Sequence, residues 1–175
     1  MEIAQINKYC KMDLPNGKVV DVLNPVLDEI VHWIQDQPSK SEGGGYITGY
    51  QHSETGNVSL EAVSHPYAFD YRNRVRFSIR DPRHYIFLKK ARRRKSYYMG
   101  VWHTHPESVP EPSETDWDDW QQTLKYDRTG CQDVFFIIAG YKAWRMWVGD
   151  FATCKIVEIF ESKKDLAGLY IKESV

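Results

Sequence analysis

The sequence has little that would mark a secreted, membrane-spanning or disulfide-stabilised protein. Its 175 residues include only three cysteines, which are widely spaced and form no CxxC pair. This argues against both a disulfide framework and a zinc ribbon. No run approaches the roughly 18 apolar residues of a membrane span, and the first residues lack the charged start and apolar stretch of an export signal. We therefore expect a cytoplasmic protein.

An excess of charge of either sign is also missing. The 23 Lys and Arg nearly balance the 24 Asp and Glu, which gives a formal net charge of −1 and no global attraction to polyanions. The one basic run, KKARRRK at residues 89–95, is more typical of a solvated helix end than of a docking surface. We expect no nucleic acid and no membrane as partners.

The apolar periodicity predicts three helices and several strands in mixed order. Helical patterns lie at residues 25–37 with Asn24 as N-cap, at residues 82–95 with Asp81 as N-cap, and after Ser113. Strand patterns occur in YITGYQ, NVSLEAVSH, RNRVRFSI, SYYMGVWHTH and three runs beyond residue 130. This order favours an α/β fold of the α+β type, a mixed central β-sheet flanked by about three helices. The length fits one domain over residues 1–175, with its core at residues 25–160.

Two histidines separated by one residue, His103 and His105, end one of the strand-like runs. Residues i and i+2 of an extended backbone point to the same side, so both imidazoles can bind one ion. A catalytic zinc ion takes three protein ligands and keeps one position for water. The proline-rich loop that follows leads into a helix whose first turn presents Asp116 as the third ligand. Asp119, three residues on and on roughly the same helix face, remains an alternative.

The spacing of these residues resembles the JAMM signature of the JAB/MPN metalloproteases. HTHP, six residues, Ser113, two residues and Asp116 match its second part, and EGGGYITG at Glu42 matches its upstream glutamate and Gly-rich strand. The resemblance implies a single JAB/MPN-like (cytidine-deaminase-like) metalloprotease domain with one catalytic zinc ion on His103, His105 and Asp116. It also implies that Glu42 is the general base for the attacking water and that Ser113 stabilises the oxyanion. A serine at that point would equally be chosen as an N-cap.

More narrowly, EGGGYITGYQ and VWHTHPESVPEPSETDWDDW are similar to JAB-domain deconjugating peptidases of bacterial CBASS antiphage operons. This resemblance implies an isopeptidase that cleaves after the C-terminal residue of a ubiquitin-like modifier or of a CD-NTase joined to target proteins. It also implies a functional link to an E1/E2-like conjugating enzyme, in the bacterial cytoplasm. The substrate tail is expected along a strand edge, for which the strand beginning at Tyr46 is the candidate. The alternatives are a JAB peptidase that processes another ubiquitin-like or sulfur-carrier protein, and a non-catalytic interaction module.

Overall fold

Strands dominate the computed structural model, which describes residues 9–162. This part of the chain contains ten strands and three helices. In chain order the elements are β1 (Tyr9–Asp13), β2 (Val19–Leu23), α1 (Asn24–Val31), β3 (Gly44–Gln51), β4 (Val58–Val63), β5 (Tyr71–Asn73), β6 (Arg76–Ser78), α2 (Pro82–Arg93), β7 (Tyr97–Thr104), α3 (Glu114–Tyr126), β8 (Asp133–Ala139), β9 (Trp144–Asp150) and β10 (Lys155–Ile159).

Eight of the strands form one mixed sheet in the order β1-β2-β4-β3-β7-β8-β9-β10, while β5 and β6 form a separate hairpin. The β2–β4 and β7–β8 pairs are parallel, and the other neighbours are antiparallel. The sheet curls so that its two edges, β1 and the end of β10, come into contact. Met12 bridges Glu161, and the amide of Asp13 donates to the carbonyl of Phe160 at 3.0 Å. The predicted fold class, a mixed sheet with three helices, is confirmed.

The two faces of the sheet carry separate apolar clusters. On one face α1 buries Val26, Leu27 and Ile30. On the other, Trp120 of α3 stacks on Phe136 of β8 with ring centroids 4.7 Å apart. An aromatic side chain buried in this way contributes roughly 3 kcal/mol, so Trp120 anchors α3 on the sheet.

The N-terminal hairpin of β1 and β2 is missing from the sequence prediction, although the sequence of its turn is typical of a β-hairpin. Asn16–Gly17 is a strong hairpin turn pair, and Gly17 adopts a φ of +80°. The predicted core at residues 25–160 therefore omits buried residues such as Met12 and Val22.

Two other predicted elements have different bounds. The helix predicted at residues 25–37 ends at Val31. Beyond this end, Gln35 donates its side-chain amide to the carbonyls of Lys40 and Arg74. Asn24 is the first helical residue rather than the N-cap, a position that Leu23 occupies. RNRVRFSI does not form one strand but folds over as β5 and β6.

The strand that contains Tyr46 is not an edge of the sheet. It is part of β3, which pairs with β4 on one side and with β7 on the other. The prediction that a substrate tail adds to this strand is therefore wrong, since both of its hydrogen-bonding sides are in use. Over residues 9–162 no helix has the length and apolar character needed to cross a bilayer.

Candidate metal centre and cleft

Two histidines lie where β7 ends, in the middle of the sheet. His103 pairs with Gly44 of β3 on one side and with Ile138 of β8 on the other. His105 continues the extended backbone, because its amide donates to the carbonyl of Ala139 at 2.9 Å. Both imidazoles point to the same side, and their Nε2 atoms are 3.0 Å apart. Two strand neighbours thus fix the backbone that carries this pair.

Asp116 meets the histidine pair from the first turn of α3. Its Oδ1 lies 3.0 Å from Nε2 of His103 and its Oδ2 lies 3.2 Å from Nε2 of His105. Asp119 does not approach the histidines: it is mostly exposed and pairs with Arg76 of the β5–β6 hairpin at 3.3 Å. Of the two aspartates that the sequence left open, the structure brings only Asp116 to the histidines.

Ser113 is the N-cap of α3 and forms a capping box with Asp116. Its Oγ accepts from the backbone N–H of Asp116 at 3.1 Å, and its own backbone N–H donates to Oδ2 of Asp116 at 2.7 Å. The hydroxyl also donates to the same Oδ2 at 2.8 Å. Ser113 therefore both starts the helix and orients the carboxylate that faces the histidines.

Arg145 holds the loop between the histidines and α3, a role that sequence reasoning missed. Its guanidinium donates to the carbonyl of Pro110 at 2.9 Å and forms a bidentate pair with Glu158 at 2.8 Å for both bonds. Glu111 adds a further ion pair at 2.6 Å. The arginine lies on β9, 32 positions after Ser113, so no local sequence pattern could connect it with the loop.

Glu42 enters the centre from the segment before β3 and is almost fully buried, with 4% of its surface exposed. Its backbone is fixed on both sides, because its amide donates to Asn73 and its carbonyl accepts from Nε of Arg72 at 2.7 Å. The carboxylate Oε1 lies 3.9 Å from Nε2 of His103 and 3.8 Å from Nε2 of His105. Oε2 is buried without a hydrogen-bond partner in the described part of the chain.

Burial in this enclosed site, together with the contacts among the charged groups, shifts the pKa values of Glu42, Asp116 and His105. Burial raises the pKa of Glu42 to about 7, and the two histidines only partly oppose that rise. Burial would also raise the pKa of Asp116, but hydrogen bonds from His103 and His105 hold it well below its usual range. Burial lowers the pKa of His105, yet the Asp116 carboxylate outweighs this effect and leaves it raised.

The donor atoms are close enough to hold a metal ion. Glu42, His103 and His105 each offer one ligand atom within 4.8 Å of the others. A tetrahedral ion about 2.0 Å from its ligands places neighbouring donors about 3.3 Å apart. The distances of 3.0 to 3.2 Å among His103, His105 and Asp116 fit that requirement more closely than the 3.8 to 3.9 Å from Glu42 to the imidazoles.

The centre opens into a cleft of about 600 Å³. Val101 and Tyr98 of β7 line its floor, and residues 75–79 of the β5–β6 hairpin face α3 across it. The Arg76–Asp119 ion pair links these two walls. At the end away from the histidines the hydroxyl of Tyr98 donates to Asp127 at 2.9 Å.

The glycines after Glu42 are needed because the backbone is closely packed on both sides. A Cβ on Gly45 would lie 2.2 Å from the carbonyl oxygen of Ser64, and one on Gly44 would lie 2.4 Å from the ring of Phe77. Side chains at these positions would push β3 away from its neighbours and displace Glu42.

The fold and the site define a domain of the α+β class, with a buried Glu-His-His group able to hold a metal ion and an adjoining cleft. The chain belongs to the family of prokaryotic homologs of the JAB domain, whose model matches residues 23–149. The resemblance of the HTHP and EGGGYITG segments to JAB/MPN proteins is thereby confirmed.

Three curated relatives are similar to most of the chain, and each is named a CD-NTase/cGAS isopeptidase. The protein from Pseudomonas aeruginosa is 32% identical over 132 residues, which are 73% of this chain and 81% of the relative. The protein from Vibrio cholerae serotype O1 is 27% identical over 134 residues, or 75% and 81% of the two chains. The Escherichia coli protein is 24% identical over 133 residues, 74% of this chain and 80% of the relative.

The fold also occurs among solved structures. The solution structure of protein DSY2949 from Desulfitobacterium hafniense superposes with a TM-score of 0.52 at 18% sequence identity. The match covers 81% of this chain and 88% of that one, so it supports the fold over most of both proteins.

Proposed function

We propose that this chain is a zinc-dependent isopeptidase in which His103, His105 and Asp116 hold the ion. The observation that carries the proposal is that the Nε2 atoms of His103 and His105 lie 3.0 Å apart, and that each of them lies 3.0 to 3.2 Å from one carboxylate oxygen of Asp116. Two imidazole nitrogens with one carboxylate oxygen suit zinc, and three protein ligands leave the open position that a catalytic site needs. Bound there, zinc would act as a Lewis acid. It would polarise a carbonyl and lower the pKa of water toward neutral.

Glu42 is the group that moves protons in this proposal. Its carboxylate is buried beside the histidines, and burial raises its pKa, which favours proton transfer near neutral pH. Glu42 takes a proton from the attacking water and later delivers one to the leaving amine. Its Oε1 is the oxygen that faces the imidazoles, 3.8 to 3.9 Å from their Nε2 atoms. The role of Ser113 as an oxyanion donor stays a prediction, and its hydroxyl must leave Asp116 to fulfil it.

The cleft suits an extended C-terminal tail. From Tyr98 to His103 the floor spans five residues of strand, about 17 Å, which is long enough for about five extended residues. The residues of β6 line the cleft, and β5 is the only described strand that pairs with β6. A tail that adds to β6 would gain backbone hydrogen bonds, and the pockets along α3 would select its side chains. We place the scissile bond at His103 and the upstream tail residues toward Tyr98.

The relatives' shared name supplies the substrate class. We infer that the tail belongs to a CD-NTase or a ubiquitin-like modifier joined to a target amine, and that the setting is CBASS antiphage defence in the bacterial cytoplasm. An E1/E2-like enzyme would make the bond that this chain cleaves. Processing of another ubiquitin-like or sulfur-carrier protein would use the same residues and differ only in the tail that the cleft accepts.

The decisive experiment combines metal analysis with intact mass. Zinc-loaded wild type and Glu42→Gln protein with equal zinc content are incubated with a CD-NTase that carries a C-terminal fusion. We expect the wild type alone to release the fusion after the last CD-NTase residue. Zinc without cleavage would exclude this substrate, and a wild type that binds no zinc would refute the mechanism.

A matched pair of aspartate variants tests the ligand set. Asp116→Asn should lose zinc affinity by at least about tenfold, whereas Asp119→Asn should retain zinc, because only Asp116 lies beside the imidazoles. Zinc content is measured by mass spectrometry after dialysis against a weak chelator. Equal zinc loss in the two variants would contradict the assignment.

A further inference from the structure

The end of α2 carries an exposed group of cations that the proposed mechanism does not use. We call residues 89–95 the basic surface; six of its seven residues are Lys or Arg, and all six are exposed. None of the six forms an ion pair with any residue in the described part of the chain, where the cationic partners are Lys40, Arg76, Arg83, Arg145 and histidines. The basic surface is therefore available to an external partner.

Stabilisation of the helix does not account for all of these cations. Lys90, Arg92 and Arg93 lie in the last turn, where positive charge complements the helix dipole. Lys95 lies beyond the helix, in the left-handed conformation with a φ of 60°. Its amide donates to Arg92 and the next amide donates to Ala91, which is the hydrogen-bond pattern of a Schellman cap. Glycine would adopt this conformation without strain, so a lysine at this position costs stability.

The basic surface lies beside the end of the cleft that is remote from the histidines. Lys95 precedes Tyr98 by three residues, so their Cα atoms are at most about 11 Å apart. Tyr98 lines that end of the cleft, and the exposed Arg128 follows Asp127 at the same end. A tail whose last residue lies at His103 would leave the cleft near Tyr98, and the folded body that carries it would then meet α2.

We propose that the basic surface binds an acidic surface on the folded body of the substrate whose C-terminal tail lies in the cleft. This inference rests on the proposed function and extends it from the tail to the body. The basic surface would steer the substrate to the enzyme and fix which end of the tail enters first. The cleft would bind the C-terminal tail, and the basic surface would bind the folded body of the substrate.

A protein fits this surface better than a nucleic acid does. The cations occupy one helix end about 10 Å long, whereas tight binding to nucleic acid usually requires six or more phosphate contacts along a groove. The α3 wall of the cleft contains Asp119, and α3 also exposes Glu114 and Asp118, so this helix would repel a phosphate backbone that continued past α2. An acidic patch on a compact protein needs no such continuation.

The binding test uses zinc-loaded Glu42→Gln protein and the CD-NTase of the cleavage assay at low and at physiological salt. Replacing Lys89→Gln, Arg93→Gln and Lys95→Gly together should weaken Kd by about tenfold and flatten its salt dependence. The control Lys18→Gln, Lys142→Gln and Lys155→Gln makes the same charge change at exposed sites elsewhere and should leave Kd within about twofold. An unchanged Kd in the first variant, or no binding of the CD-NTase body at all, would overturn the inference.

The single change Lys95→Gly distinguishes an effect on substrate binding from an effect on the stability of the fold. It should raise the melting temperature, because glycine relieves the cap, while it weakens binding of the CD-NTase. A purely structural role would move both quantities in the same direction or leave binding unchanged. A second arm replaces the CD-NTase by a duplex oligonucleotide, and binding of the oligonucleotide alone, lost in the basic-surface variant, would also overturn the inference.

Cleavage of two reporters distinguishes this inference from the proposed function. One reporter is a tail peptide of about ten residues joined to a fluorophore through a lysine side chain, and the other is the whole CD-NTase joined in the same way. The basic-surface variant should cleave the peptide like the wild type and should show a raised KM for the whole protein only. If the wild type cleaves neither reporter, the proposed function fails. If the variant cleaves both like the wild type, only the docking inference fails.

Discussion

Ser113 and Asp116 hold one another through both backbone and side chain: the serine hydroxyl donates to Oδ2 of the aspartate at 2.8 Å and accepts from its amide at 3.1 Å. The same Oδ2 lies 3.2 Å from Nε2 of His105. A helix cap is thus part of the candidate metal centre, and the stability of α3 is linked to the placement of a ligand.

Two substitutions at Ser113 separate capping from chemistry. Ser113→Ala should lower the free energy of unfolding by about 1 kcal/mol, whereas Ser113→Gly should cost only a few tenths, because glycine is tolerated as an N-cap. Both remove the hydroxyl. If it acts on the substrate, both variants lose kcat to a similar extent. An activity loss that follows stability instead, large in Ala and small in Gly, would leave Ser113 as a cap alone.

Gly45→Ala should disrupt the centre without touching a titratable group. The new Cβ would lie 2.2 Å from the backbone oxygen of Ser64, so β3 must move, at a cost of about 2 kcal/mol or more. Gly43→Ala is the milder comparison, since its Cβ would lie 2.8 Å from the nearest atom, the Cβ of Trp33, rather than 2.2 Å. Urea denaturation and zinc affinity measure the two effects. A Gly45→Ala protein as stable as the wild type would contradict the packing described above.

The buried chain Ser64–His84–Asp70 should contribute strongly to stability. The hydroxyl of Ser64 lies 2.7 Å from Nδ1 of His84, and Nε2 of His84 lies 2.7 Å from Oδ2 of Asp70, all almost without exposure. His84→Ala would leave a buried carboxylate and a cavity, so we expect a loss of about 3 kcal/mol in the free energy of unfolding.

The adjacent Tyr85→Ala on the same helix is the control for that measurement. Tyr85 is 66% exposed, and its loss should change stability by less than about 0.5 kcal/mol. Comparable losses in the two variants, measured by urea denaturation, would show that the network contributes little.

Asp133 should make the protein less stable as pH rises. Burial, together with Asp150 directly across the β8–β9 pair, raises the pKa of Asp133 from 3.8 to about 6. The folded state therefore binds more protons than the unfolded chain between about pH 4 and 6, and stability falls with pH across that window. Asp133→Asn removes the penalty, so the variant should be more stable than the wild type by about 1 kcal/mol above pH 6.

Thermal unfolding at pH 4 and pH 8 measures this difference. The gain should be present at pH 8 and vanish near pH 4, where the wild-type carboxyl is protonated in the folded state. Asp150→Asn removes the neighbouring charge and should give a smaller gain at pH 8. A difference between Asp133→Asn and wild type that is the same at both pH values would refute the assigned cause.

Most of the secondary structure and the three candidate ligands could be predicted because their signals are local. Asp81 and Pro82 mark the start of α2, Ser113 marks the start of α3, and strand alternation alone orients His103 and His105 to one side. The hairpin of β5 and β6 was missed because RNRVRFSI alternates like a single strand. In the structure it turns after Asn73, whose Oδ1 accepts from the amide of Val75 and whose carbonyl accepts from the amide of Glu42.

The sequence by itself determined the fold class, the family and the spacing that presents two histidines and an aspartate together. The fold class and the spacing follow from backbone periodicity and helix capping, which act over a few residues, whereas the family follows from the resemblance of the HTHP and EGGGYITG segments. Only the tertiary structure decided that Asp116 and not Asp119 faces the histidines, and that β3 has a neighbouring strand on each side. It also decided that Arg145 holds the loop between the histidines and α3. Those facts depend on contacts between residues far apart in the chain, whose partners are fixed by the packing of the whole sheet.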